Sequence, residues 1–226
     1  VRKKKAHWNQ QYKAGFNLQH QNLQTNLQVQ NADISKNIAD TFQNNLEWLR
    51  FRVYAESNFT YESSKIRWSV SLPLSYLFIK YDDTTFSLQQ QKKAMLPTPS
   101  TNFQWQINAY WNLNTSLSYS KFVGDVNSIN RGYILKTYRN FSNNNVPLPE
   151  NSSANGSVSI TFRNPLKILF VNMGISISQS KSNLLYNQNY NGLLETLFAT
   201  VKDNKTNSTN FFSRFSKYII DWKTTI

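Results

Sequence analysis

Residues 46–81 read LEWLRFRVYAESNFTYESSKIRWSVSLPLSYLFIKY, and this stretch decides the fold. In its first half Leu49, Phe51, Val53, Ala55, Phe59 and Tyr61 fall at alternate positions, with Arg50, Arg52, Tyr54, Glu56, Asn58 and Thr60 between them. In its second half Ile66, Trp68, Val70, Leu72, Leu74, Tyr76 and Phe78 alternate with Arg67, Ser69, Ser71, Pro73 and Ser75. A period of two is the signature of a strand with one apolar and one polar face. A two-residue turn at Ser63-Ser64 sets Tyr61 against Ile66, Phe59 against Trp68, Ala55 against Leu72, Val53 against Leu74, Phe51 against Tyr76 and Leu49 against Phe78. Every apolar residue then has an apolar partner, and a one-residue slip would mix the faces.

Length decides what the apolar face touches. Leu49–Tyr61 and Ile66–Phe78 each run about 13 residues, roughly 43 Å at about 3.3 Å per residue, against about 5 to 6 residues for an ordinary soluble strand. Tilted by about 45°, such a strand rises roughly 30 Å, the thickness of a bilayer hydrocarbon core. Apolar outside with Ser, Asn, Gln and Arg inside is the pattern of a transmembrane β-barrel, in which closure leaves no backbone group unpaired in lipid.

Composition agrees. Of the 226 residues 15% are aromatic and only 16% charged. Cysteine is absent, which excludes disulfides and thiolate metal sites. No apolar run approaches the roughly 20 residues of a membrane helix. The net charge of +13 suggests an acidic partner, but the basic residues are scattered and only Arg2-Lys3-Lys4-Lys5 forms a run, so no nucleic-acid partner is expected. The chain opens at Val1 without a secretion signal and stops at Ile226 inside the alternation Trp222, Thr224, Ile226. The expectation is a piece of a longer polypeptide, one partial barrel domain over residues 1–226.

Further strands follow the same rule. Tyr12, Ala14, Phe16 and Leu18 lie on even positions, then Leu23, Thr25, Leu27 and Val29 on odd ones. The parity change near Gln19–Asn22 reads as a β-bulge in one long strand, in preference to a hairpin through the poor turn dipeptide His20-Gln21. Phe103, Trp105 and Ile107 precede a turn and Trp111, Leu113, Leu117 and Tyr119 follow it on the same parity, which requires an odd loop such as Asn108-Ala109-Tyr110. Val158, Ile160 and Phe162 lead into Asn164-Pro165, and Leu169 through Ile177 lead away with changed parity, fitting a loop of two or four residues. Phe211, Phe215 and Ile219 turn near Ile220-Asp221 towards Trp222.

The expected architecture is an all-β, antiparallel, up-and-down transmembrane β-barrel, partial, with about nine strands. Tight turns fall near 5–9, 63–64, 108–110, 163–166 and 218–221, and long connections at 30–45, 80–101, where a short strand around Phe86 and Leu88 is an option, 122–157 and 180–209. The last has apolar content at Leu193, Leu194, Leu197 and Phe198 that suits strand extension or a short helix. Short and long joins alternate, as when turns occupy one side of a membrane and loops the other. Single-chain bacterial barrels have even strand numbers, so nine implies a cut chain whose open edges would aggregate or need the rest.

The runs Asn108-Ala109-Tyr110-Trp111-Asn112-Leu113 through Gly124-Asp125, Gly132-Tyr133-Ile134-Leu135 through Tyr138-Arg139-Asn140, and Arg163-Asn164-Pro165-Leu166-Lys167 through Ser182-Asn183-Leu184-Leu185-Tyr186 add a family likeness. They resemble the outer-membrane barrel domain of TonB-dependent receptors, closest to those of Bacteroidetes-type bacteria. The resemblance implies a barrel of about 22 strands plugged by an N-terminal domain. It further implies the outer membrane of a Gram-negative bacterium, contact with outer-membrane lipid, and energy from an inner-membrane complex reached through the plug. The cargo it implies is a scarce ligand such as a glycan, peptide or siderophore. The chain shows no plug, no energy-coupling box and no aromatic C-terminal residue, and no binding residue is carried over.

Chemistry has little footing. The two histidines, His7 and His20, lie near no Ser or Asp signature, so no catalytic residue, enzyme activity or cofactor is expected. The twelve acidic residues are scattered, and Asp82-Asp83 reads as the start of a turn, so no metal site is expected. Arg50, Arg52, Glu56 and Arg67 share the lumen face, either lining a passage for anionic solute or forming a structural network. Trp68, Phe51, Leu72, Tyr76, Trp105 and Trp111 are the lipid-facing or girdle candidates, with Trp48 and Trp222 beside them and ordinary sheet packing as the alternative. Seven Asn-x-Ser/Thr matches, Asn58, Asn140 and Asn204 among them, are expected by chance in so Asn- and Ser-rich a chain. The competing functions are a non-coupled barrel, porin-like or structural, and a soluble extracellular adhesin or glycan-binding module.

Overall fold

The computed structural model describes residues 7–31, 34–37, 40–219 and 224–225. The basic run Arg2–Lys5, the turn at Ile220-Asp221 and Trp222 lie outside them. The described chain is all-β, with two single-turn 3-10 segments, Asp40–Phe42 and Val126–Ser128. Its strands are β1 (His7–Thr25), β2 (Gln28–Asn31), β3 (Ile34–Asn37), β4 (Asn44–Glu62), β5 (Ile66–Asp83), β6 (Leu88–Pro97) and β7 (Ser100–Gln106). There follow β8 (Trp111–Val123), β9 (Ile134–Thr137), β10 (Asn140–Asn143), β11 (Glu150–Asn164), β12 (Leu169–Asn191), β13 (Leu194–Ile219) and β14 (Thr224–Thr225).

An antiparallel meander runs β1-β4-β5-β7-β8-β11-β12-β13, each strand bonded to the next. β6 continues the β7 ladder along β5, and β10 adds a short parallel pairing to β13. The path ends at β1 on one side and, past β13, at the short strands β10 and β9 on the other, so the sheet is open among the described residues.

Alternation survives across the whole sheet. One face carries Trp8, Tyr12, Phe16 and Leu18 of β1, Phe59, Val53 and Phe51 of β4, and Trp68, Leu72, Leu74 and Tyr76 of β5. It continues through Phe103 and Trp105, Leu113 and Leu117, Val158 and Ile160, Ile175 and Ile177, to Phe211 and Phe215. Nothing among the described residues covers it: Val53, Leu72 and Leu74 are 43%, 48% and 44% exposed, and Phe16 76%. The opposite, polar face is covered at one end only, where Leu46, Trp48, Leu77, Ile79, Tyr81 and Leu96 pack with Val123, Val126, Ile129 and Leu148 of the segment 123–148. Leu77 and Ile79 are fully buried there.

Several expectations need correction. The β4–β5 pairing is shifted by two residues, with Tyr61 opposite Trp68, Phe59 opposite Val70, Ala55 opposite Leu74 and Val53 opposite Tyr76. The turn is centred on Ser64-Lys65: the Ser63 N–H donates to the Ile66 carbonyl at 2.7 Å, and Ser63 Oγ accepts from the Ile66 N–H at 3.1 Å. A serine before the turn that takes the returning N–H outcompetes the Ser63-Ser64 placement. β1 is one strand paired with β4 from His7 to Thr25 without a register shift, so there is no bulge at 19–22, and 7–9 belong to the strand and not to a turn. The parity of apolar residues changes because Leu23 packs against the core cluster on the polar face.

The stretch 80–101 is a hairpin and not a loop. Asp83 Oδ1 accepts from the N–H groups of Thr85 and Phe86, and β6 carries Lys92 and Lys93 back along β5. Residues 180–209 are strand extension, closed by Gly192 in the left-handed region (φ 61°) between Asn191 and Leu194. β8 and β11 shorten the connection 122–157 to 124–149. The three-residue loop 108–110 is as expected, with Asn108 Oδ1 accepting from Tyr110 N–H at 2.8 Å and Trp111 N–H at 2.9 Å. The Asn164 turn has four residues, Pro165–Ile168.

The two faces respond differently to truncation. Leu77→Ala, inside the core cluster, is expected to cost about 2 to 5 kcal/mol in denaturant unfolding, and Leu74→Ala on the uncovered face less than about 1. Equal losses would mean that something covers the apolar face.

Candidate functional site

Two surfaces carry the candidate chemistry, and alternation puts them on opposite sides. On the polar face Arg50 and Arg52 stand opposite Ile79 and Leu77, at the rim of the core. Arg52 donates through Nε and Nη2 to Ser75 Oγ at 3.0 and 2.8 Å and lies 5.8 Å from the Tyr54 ring. Asp125 of the covering segment lies within electrostatic reach of Arg50. Glu56 sits further along, opposite Lys13 and Pro73, and accepts from Asn58 Nδ2 at 2.6 Å.

Arg67 is at the turn end, opposite Glu62 and Gln104. The four lumen candidates therefore share a face but not a site. Arg67 instead joins Arg163, Lys65, Gln104 and Asn112 around an open hollow of about 370 Å³. Arg214, two strands beyond, shares a second hollow with Arg163. Arg163 was hidden in the sequence because it abuts Asn164-Pro165 and reads as part of a turn.

The covering segment is held by a buried amide clamp. Asn44 Oδ1 accepts from the Gly132 N–H at 2.8 Å, and Asn44 Nδ2 donates to the Gly132 carbonyl at 3.2 Å and to Thr25 Oγ1 at 2.7 Å. A Cβ at Gly132 would lie 2.3 Å from the Gln43 carbonyl, so only glycine fits the approach. Asn130 Nδ2 donates to the Ser142 carbonyl at 2.9 Å within the same segment.

On the apolar face aromatic rings form a rim at the turn end. Trp8 and Tyr61 lie 5.0 Å apart, Trp8 and Trp68 6.5 Å, and Trp111 and Phe162 4.8 Å. Trp68 and Trp105 are 42% and 39% exposed, and Trp68 Nε1 donates to Thr101 Oγ1 at 2.8 Å. An exposed ring with a satisfied N–H suits an interfacial girdle. Phe51 and Tyr76 lie on this face towards the other end, with Phe16 and Phe51 6.5 Å apart. Trp48 does not belong to the rim: it is buried on the polar face, stacked on Tyr81 at 5.7 Å.

At the loop end, beyond the apolar band, Glu150 bridges Lys92 and Lys121. The hydrogen bond from Lys92 holds its carboxyl below the ordinary value, outweighing partial burial, and Lys121 adds to the effect. No group of three or more His, Asp or Glu suited to a metal ion occurs among the described residues. No protein-family model matches the chain, and comparison with curated proteins and with solved structures gives no match either.

The clamp is testable. Asn44→Ala leaves the Gly132 amide and carbonyl unpaired and is expected to cost about 1 to 3 kcal/mol. Limited proteolysis should then cut within 124–149 while the β4–β5 hairpin stays protected. Unchanged protection of the segment would show that the clamp does not hold it.

Proposed function

We propose that this chain forms part of an outer-membrane β-barrel of the TonB-dependent receptor class, importing a scarce ligand across the outer membrane of a Gram-negative bacterium. The observation that carries the reading is the band of exposed apolar side chains that runs in register across the long strands from β1 to β13. Soluble monomers rarely expose a contiguous apolar patch beyond a few hundred Å². A bilayer supplies the missing cover, and the aromatic rim marks where the hydrocarbon would give way to head groups.

In this reading the polar face lines the lumen. Arg67, Arg163 and Arg214 give its turn end a positive character suited to an anionic solute. The segment 124–149, folded onto the polar face, narrows the passage, as loops folded into barrels do. That inward segment equally suits a non-coupled, porin-like barrel, and energy coupling separates the two. A soluble glycan-binding module is less well supported, since its aromatic platform would not extend into a continuous aliphatic band.

Reconstitution tests the membrane step. The intact protein should float with liposomes and need detergent to stay monodisperse, and Leu74→Arg should oppose insertion by about 2 to 4 kcal/mol near mid-bilayer. A monomer that is soluble without detergent and indifferent to Leu74→Arg overturns it. Ligand uptake that stops when the inner-membrane proton gradient collapses supports coupled import; uptake that continues supports the porin-like alternative.

A further inference from the structure

On the apolar face, β11 has no side chain at Gly156, which stands between Leu117 of β8 and Ile177 of β12. The gap opens a hollow of about 630 Å³ whose wall includes Val70, Leu72, Pro99 and Thr101. Four residues further along the same strands, on the same face, the ladder sets Lys121 opposite Ser152, Ser152 opposite Lys181, and Lys181 opposite Lys205. Three lysines thus form one rung directly beyond an apolar groove. Lys181 and Lys205 are exposed, and no carboxylate of the described residues bridges either. Lys121, Lys181 and Lys205 line a second hollow of about 390 Å³ with Glu150 and Asp203, and Glu150 is engaged by Lys92 and Lys121, so four lysines stand against two carboxylates.

We infer that this groove and rung bind one phosphate-bearing lipid, with an acyl chain in the Gly156 hollow and a monoester phosphate on Lys121, Lys181 and Lys205. The inference rests on the membrane reading above and adds a specific occupant to it. Dimensions fit. Four residues span about 13 Å along a strand, or about 9 Å in height at a 45° tilt, which carries the rung from the hydrocarbon edge into the head-group layer. Strands lie about 4.8 Å apart, so flexible lysines from β8, β12 and β13 can converge on one phosphate. An isolated lysine patch would take any soluble anion, whereas the adjoining apolar groove on an uncovered face selects an anion attached to a chain.

The test uses the intact protein in nanodiscs of dimyristoyl phosphatidylcholine, titrated with dimyristoyl phosphatidic acid and read by native mass spectrometry. The double variant Lys181→Gln/Lys205→Gln should weaken phosphatidic acid binding roughly thirtyfold and leave phosphatidylcholine retention unchanged. Gly156→Leu, whose Cβ would meet Leu117 Cδ2 at 3.1 Å, fills the groove and should weaken binding while leaving the lysines in place. Inorganic phosphate at the same concentration should not displace the lipid. Insertion with wild-type affinity in both variants, or displacement by inorganic phosphate, overturns the lipid assignment alone. Failure to insert into phosphatidylcholine bilayers overturns the membrane reading and this inference with it.

Discussion

Side chains on a strand alternate, and in this sheet alternation ties every residue's surroundings to its parity. Backbone ladders hold the strands edge to edge but do nothing to cover the faces. Each face must find its own partner. The polar face finds one at the loop end, where the segment 124–149 lays Val126, Ile129 and Leu148 on Leu77 and Ile79. The apolar face finds none in the described chain, although it carries the larger aromatic and aliphatic surface. An apolar core on the polar face, and exposed leucines on the apolar one, are what the membrane reading proposed above accounts for together.

Parity was legible and register was not. Residues 46–81 fix which side chains share a face, because any odd-to-even pairing keeps Val53, Phe51, Leu72 and Leu74 together. A shift by two residues preserves that agreement, so hydrophobic matching cannot choose between pairing Tyr61 with Ile66 and pairing it with Trp68. The choice falls to the turn, where one hydroxyl, Ser63 Oγ, captures the Ile66 N–H. The three-residue loop at Asn108 was readable because its parity and its Asx-type capture agree.

The missed regions share a cause. Periodicity reports a strand only where apolar residues mark one face, and beyond the band polar residues such as Gln90 and Lys92 interrupt the few apolar ones, Leu88, Ala94 and Leu96, that pack on the core. Lys92, Lys93 and the Asn-rich run after Gln179 therefore read as loop although they are laddered. The reverse error occurred at Leu23, where a core on the polar face reversed the apolar parity of β1 and imitated a bulge. Long-range contacts such as Asn44 with Gly132, 88 residues apart, leave no local pattern at all. For the same reason the rung Lys121, Lys181, Lys205 is invisible in the sequence, being three residues on three strands united only by register.

The edges carry the remaining constraint. β1 is paired on one side, and β13 offers long stretches of its outer edge between short pairings with β10 and β14. In water such edges template aggregation, and soluble proteins guard them with proline, bulges or inward charges. β13 has neither proline nor glycine from Leu194 to Ile219. In hydrocarbon the demand is harsher, because each unpaired amide or carbonyl costs several kcal/mol. If the band does face a bilayer, as proposed, the edges at β1 and β13 would need partners, whether from the same polypeptide or from another copy. In the membrane reading proposed above, closure and bilayer contact stand or fall together, because hydrocarbon around the band would forbid an open edge.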